Sequence, residues 1–98
     1  MPAYLIVRLE VTDWNRYGKY TDATPAIIKR FGGRFIVRGG QMETLEGHPE
    51  ARRVVVIEFP NFERVKEFFN SPEYSEVKKL RDGAAIGEFL AIDGYAQA

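Results

Sequence analysis

Cysteine is missing from this 98-residue chain, and with it go disulfides, thiol catalysis and thiolate metal sites. Histidine is nearly missing too: His48 stands alone in a Gly/Pro-containing stretch with no second ligand type at metal spacing, so neither zinc nor haem is indicated. Ser71 and Ser75 are the only serines and neither sits in a G-x-S-x-G turn, which removes a nucleophilic triad. There is no excess charge of either sign, since 14 basic residues balance 14 acidic ones. A nucleic-acid partner normally demands a basic excess or stripe, so none is expected. Long apolar runs are lacking as well. The one at the N-terminus is broken by Arg8, too early for a signal segment or a membrane span. What remains is the profile of a soluble, cytoplasmic protein, 1–98 forming one domain, with no cofactor called for.

The residues present are strongly patterned. Ala3, Leu5, Val7, Leu9 and Val11 alternate with Tyr4, Ile6, Arg8 and Glu10, which predicts a strand with two different faces. Thr12 or Asp13 can cap a following helix. Trp14, Tyr17, Thr21, Thr24, Ile27, Ile28 and Phe31 form its core-facing stripe, and Pro25 within it predicts a kink or restart near Thr24. After Gly32-Gly33, a strand over 34–38 places Phe35 and Val37 on one face and Arg34, Ile36 and Arg38 on the other. The stretch 39–52 reads as a long connection, with Met42 and Leu45 marking a part that extends as an arm. Arg53 to Phe59 is β-branched and strand-forming, stopped by Pro60. Asn61 caps a helix bearing Phe62, Val65, Phe68 and Phe69, which Ser71-Pro72 breaks and restarts. Gly83 and Gly87 bracket the entry to a last strand over 88–93, and the tail from Gly94 is expected to fray.

The order βαββαβ predicts an α+β, ferredoxin-like domain: a four-stranded antiparallel sheet with both helices on one face. The other face would carry Tyr4, Ile6, Arg8, Ile36, Arg38, Val54, Val56, Glu58, Leu90 and Ile92. Four strands about 4.8 Å apart and roughly 17–20 Å long present on the order of 350 Å². A half-aliphatic patch of that size calls for cover, and a second copy of the chain supplies it, giving a homodimer joined through the sheet face. Ions inside such an interface must be paired or wet. With Ile36 opposite Val56, Arg34 falls opposite Glu58 and Arg38 opposite Val54, leaving Arg38 free for a small anionic or carbonyl ligand in a cavity between sheet and partner. The plainer alternative is an Arg–Glu pair that only fixes the dimer's register.

Other motifs carry less. Arg38-Gly39-Gly40 lacks the following helix and Lys-Ser/Thr pair of a phosphate loop, and reads as a strand end or bulge. Ser71-Pro72-Glu73-Tyr74 is first a helix restart, with Tyr74 or Arg81 available at a cavity mouth. Lys78, Lys79 and Arg81 otherwise form a solvated helix face.

Taken together, Gly32-Gly33-Arg34-Phe35, Val37-Arg38-Gly39-Gly40, Leu45-Glu46-Gly47, the run from Arg53 to Pro60, Ser71-Pro72-Glu73-Tyr74 and Leu80-Arg81 resemble the family called domain of unknown function 1330. Asn61 stands where that family usually has Ser, and Phe68-Phe69 where it has an aromatic pair beginning with Trp. The resemblance implies the dimeric α+β barrel fold, shared with cofactor-independent monooxygenases, dehydratases and chlorite-dismutase-like haem proteins, and no activity of its own. It carries over Arg38, Glu58, Ser71, Tyr74 and Arg81 as ligand-binding positions, with Glu58 and Tyr74 as candidate catalytic groups. Two functions stay open: a cofactor-free enzyme, monooxygenase- or isomerase-like, on a small carboxylate or aromatic metabolite, or a non-catalytic metabolite-binding or structural dimer.

Overall fold

The computed structural model describes residues 1–96. Strands β1 (Ala3–Val11), β2 (Arg34–Arg38), β3 (Arg53–Phe59) and β4 (Ala85–Asp93) form one antiparallel sheet in the order β2-β3-β1-β4. This is the α+β, ferredoxin-like arrangement that the segment order predicts. Helices α1 (Trp14–Arg30), α2 (Phe62–Phe69) and α3 (Pro72–Lys78), with a 3-10 turn over Lys79–Arg81, pack against the face bearing Leu5, Val7, Leu9, Val55, Ile57 and Phe59. Strand alternation buries those side chains, and Phe59, Val65, Phe68 and Tyr74 are the most enclosed large ones.

Local chemistry sets each boundary. The Asp13 carboxylate accepts from the Arg16 amide (3.2 Å) at the start of α1, and the Asn61 side chain accepts from the Arg64 amide (2.9 Å) at the start of α2. Gly32, at φ 79°, turns the chain after α1, and the Gly33 amide donates to the Ile28 carbonyl (2.9 Å). Ser71 separates α2 from α3. Its hydroxyl donates to the Phe68 carbonyl (2.8 Å) and accepts from the Tyr74 amide (3.1 Å).

Several expectations need correction. Trp14 is 62% exposed, and Tyr20 takes its place in the buried stripe with Tyr17, Thr24, Ile27 and Ile28. The first turn of α1 overhangs the core, and Trp14 only sets its edge on Tyr17 (5.7 Å between centroids). Pro25 does not restart α1, which is continuous from Trp14 to Arg30. β4 begins at Ala85 rather than Glu88, because the long β1 offers pairing partners as far as Val11. Of the tail expected to fray, the Gly94 amide still donates to the Pro2 carbonyl (2.9 Å), and residues 97–98 lie outside the described ones.

The consequential correction is in β2. Arg34 does pair with Glu58, but a bulge at Ile36 follows, so Val37 aligns with Val56 and Arg38 with Val55. One extra residue reverses the faces beyond it. Val37 joins the helix-free face, and Arg38 turns toward the helices.

Candidate functional site

A cavity lies under α1, on the helix-packed side of the sheet. It measures about 30 Å³ and is enclosed by the helix-packed side of the sheet and by α1. Its floor is aliphatic and aromatic: Leu5, Val7, Val55, Ile57 and Phe89. Its polar groups are Tyr17, Tyr20, Thr21, Thr24, Arg38, Arg53 and Tyr74. That volume has room for a water molecule, so a larger guest requires side chains to move.

Arg38 is the side chain placed to do so. It is exposed, its guanidinium lies over the Phe35 ring (4.3 Å), and Nη2 donates to the Thr21 carbonyl (3.3 Å). That carbonyl is available because Pro25, four residues on, has no amide to fill it. The proline thus gives up one helical bond and leaves an acceptor facing the cavity mouth. Arg53 comes from β3, where it shares the face of Val55, Ile57 and Phe59, and its Nε is buried without a partner. Gly39, with φ 66°, makes room for it: a Cβ there would collide with the Arg53 guanidinium. Burial raises the pKa of the Tyr17 phenol, opposed by Arg53 beside it and by Arg38 and Arg81.

At the inner end the Tyr20 and Tyr74 hydroxyls share a hydrogen bond of 2.7 Å. Burial, reinforced by Tyr74, pushes the Tyr20 phenol far above its usual value, so it stays protonated. Arg81, only 8% exposed, lies over the Phe89 ring (4.4 Å) and against Tyr20 (5.7 Å), with its Nε also buried and unpartnered. The reading of Arg81 as part of a solvated face is therefore overturned. The 3-10 turn rotates it inward while Lys79 stays exposed. Among the described residues, Arg16, Arg38, Arg53 and Arg81 have no carboxylate partner, whereas Arg8, Arg30, Arg34, Arg52 and Arg64 have at least one.

The five positions carried over from the sequence are divided by the sheet. Arg38 and Tyr74 line the cavity, and Arg81 packs behind its Tyr20 and Phe89. Ser71 is near Tyr74, but its hydroxyl is committed to joining two helices. Glu58 is on the opposite face, paired with Arg34 at 2.9 Å, so it cannot act as a base in the cavity. The sequence reading missed Tyr17, Tyr20 and Arg53. A usable signal existed: phenols rather than phenyls at buried helical positions need polar partners, and Arg53 falls in phase with the apolar face of its strand. Among the described residues no three His, Asp or Glu side chains gather as metal ligands, and His48 is exposed.

The family model for Domain of unknown function (DUF1330) matches residues 2–95. The chain belongs to this family. No curated protein matches it. Solved structures resemble the DUF1330 chain over most of its length. A protein of unknown function from Rhodopseudomonas palustris is 20% identical with a TM-score of 0.76, over 98% of this chain and 84% of that one. A dimeric, ferredoxin-like protein of unknown function from Bacteroides fragilis is 17% identical with a TM-score of 0.66, over 95% and 96%. SnoaB, a cofactor-independent oxygenase from Streptomyces nogalater, is 12% identical with a TM-score of 0.64, over 98% and 95%. At these identities the likeness establishes the fold of the chain and nothing about its chemistry.

Proposed function

We propose that this protein is a homodimer, joined through the helix-free sheet face, in which each protomer binds a small organic anion between its sheet and α1. The observation that carries the reading is Arg38 and Arg53, cations without carboxylate partners that line one largely apolar cavity, with Arg81 packed behind its Tyr20 and Phe89. A part-buried cation beside a low-dielectric space, as Arg53 is, is costly without a counter-charge, and a bound anion relieves that cost. Guanidinium forks suit a carboxylate or an enolate oxygen, and the aliphatic and aromatic floor suits an apolar body.

Binding is favoured over turnover by what the lining lacks: it contains no carboxylate or imidazole to remove a proton. A cofactor-free oxidation, the kind that a cofactor-independent oxygenase such as SnoaB performs, would need a substrate that arrives ionised and supplies its own electrons. The arginines and phenols would then stabilise its oxyanion.

The test is a thermal-shift and calorimetric panel of aromatic and aliphatic carboxylates. A ligand at a hundred times its Kd stabilises the fold by about 2.7 kcal/mol, a readily measured rise in Tm. Arg53→Gln and Arg38→Gln are expected to weaken a hit about tenfold or more. A hit bound as tightly by both variants would refute the site. Chromatography of the recovered ligand then separates binder from enzyme.

A further inference from the structure

The reading of an organic-anion site leaves the Tyr20–Tyr74 pair without a stated task, and its proton count gives it one. The two hydroxyls carry two protons, and the bond between them uses one. Tyr20 is 8% exposed and Tyr74 1%, and among the described residues neither hydroxyl has another hydrogen-bond acceptor. Arg81, the polar group packed against the pair, can only donate. Phe68 and Phe69, which contact the Tyr74 ring, offer no side-chain acceptor. One phenolic proton therefore has no acceptor, in a place where an unmet donor is costly.

Resting on the organic-anion reading, we infer that this pair is a specificity element that donates its free proton to an uncharged carbonyl oxygen at the far end of the ligand. The ligand class is then a flat carboxylic acid with a second, acceptor-only oxygen. Its carboxylate meets Arg38 and Arg53 at the mouth, and its other oxygen meets the tyrosines. The rings of Tyr17 and Tyr20, stacked with centroids 5.6 Å apart, join the two ends and match a planar body. An unliganded cavity has room for a water that would accept the same proton. A group displacing that water must accept it too, and an alkyl group cannot.

The probes are 4-acetylbenzoate and 4-ethylbenzoate, nearly equal in shape and alike in carboxylate. Native protein is expected to bind the acetyl compound about tenfold more tightly. The double variant Tyr20→Phe with Tyr74→Phe is expected to bind both compounds alike, its retained affinity for 4-ethylbenzoate serving as the sign of an intact fold. Arg53→Gln is expected to weaken both in equal proportion. A readout on native protein needs no variant: the carbonyl stretch of bound 4-acetylbenzoate should lie below its value in a dry alkane. Equal affinities in native protein, or a stretch at the alkane value, overturn the inference and leave the anion site standing. Failure of both acids to bind overturns the two together.

Discussion

At Gly39 the difference between a hydrogen and a methyl group decides whether Arg53 can reach the cavity. The residue combines a left-handed φ of 66° with no room for a Cβ beside the Arg53 guanidinium. Gly39→Ala is expected to destabilise the fold by about 1–3 kcal/mol in urea unfolding. It should also weaken any acid bound at the mouth, because Arg53 has to retreat. Unchanged stability and affinity would place the arginine elsewhere. Ser71 gives a contrasting case. With both hydrogen-bonding functions of its hydroxyl joining α2 to α3, Ser71→Ala should cost about 1 kcal/mol and leave affinity for 4-ethylbenzoate unaltered. A selective loss of affinity would make Ser71 a ligand contact after all.

At the level of elements, α1 shows how a local fault creates a site. Pro25→Ala restores the amide that the Thr21 carbonyl lacks, so the helix should become more stable, by up to about 3 kcal/mol. Arg38 then loses the acceptor that holds it at the mouth, and acid binding should weaken while Tm rises. The segment from Gly39 to Arg52 is held by charges at its return end. Glu50 bonds Arg52 (2.9 Å) and Arg8 (3.2 Å), and Arg52 reaches Glu88. Hydrogen bonds from Arg52 lower the Glu50 pKa to about 2. Because the folded-state value lies below the unfolded one, the contribution is complete above the ordinary carboxylate range and is lost as pH falls toward 2. Melting curves of native protein and Glu50→Gln should therefore differ at pH 6 and converge near pH 2. A constant gap would show that the charge is not the cause.

Element order, face assignment in β1 and β3, caps, and the break at Ser71-Pro72 were all readable, because periodicity and capping are local properties. The faces of β2 were not. Arg34, Phe35, Ile36, Val37 and Arg38 alternate acceptably in either phase, since Ile36 and Val37 suit a packed or a half-open surface equally. Only pairing with β3 inserts the bulge, and the bulge moves Arg38 from one side of the sheet to the other. Tyr17 and Tyr20 looked like ordinary core aromatics because ring spacing says nothing about where a hydroxyl points. Glu58 was matched correctly with Arg34, and that pairing is what removes it from the cavity.

The molecule as a whole is a thin slab, 44 × 38 × 17 Å, with helices on one side and a bare sheet on the other. On the bare side Val37, Ile86, Leu90 and Ile92 are 41–70% exposed, next to half-buried Ile6 and Val56. The sheet alone offers on the order of 350 Å², short of the roughly 800 Å² per partner of a stable interface. The segment from Gly39 to Arg52 can supply the difference, for Leu45 is 88% exposed and Met42 46%. Leu45→Asp should accordingly weaken a dimer, and Leu90→Glu, at the middle of the bare face, should give monomers in sedimentation equilibrium. Because Leu90 is already half exposed, the glutamate costs an isolated protomer little. The described groups that line the cavity lie on the far side of the sheet from Leu90. The monomeric variant should then keep its affinity for a carboxylate ligand within about twofold, since distant sites act independently. Monomers that no longer bind would mean that the partner shapes the cavity through the sheet, whereas a variant that stays dimeric would move the interface off the sheet face.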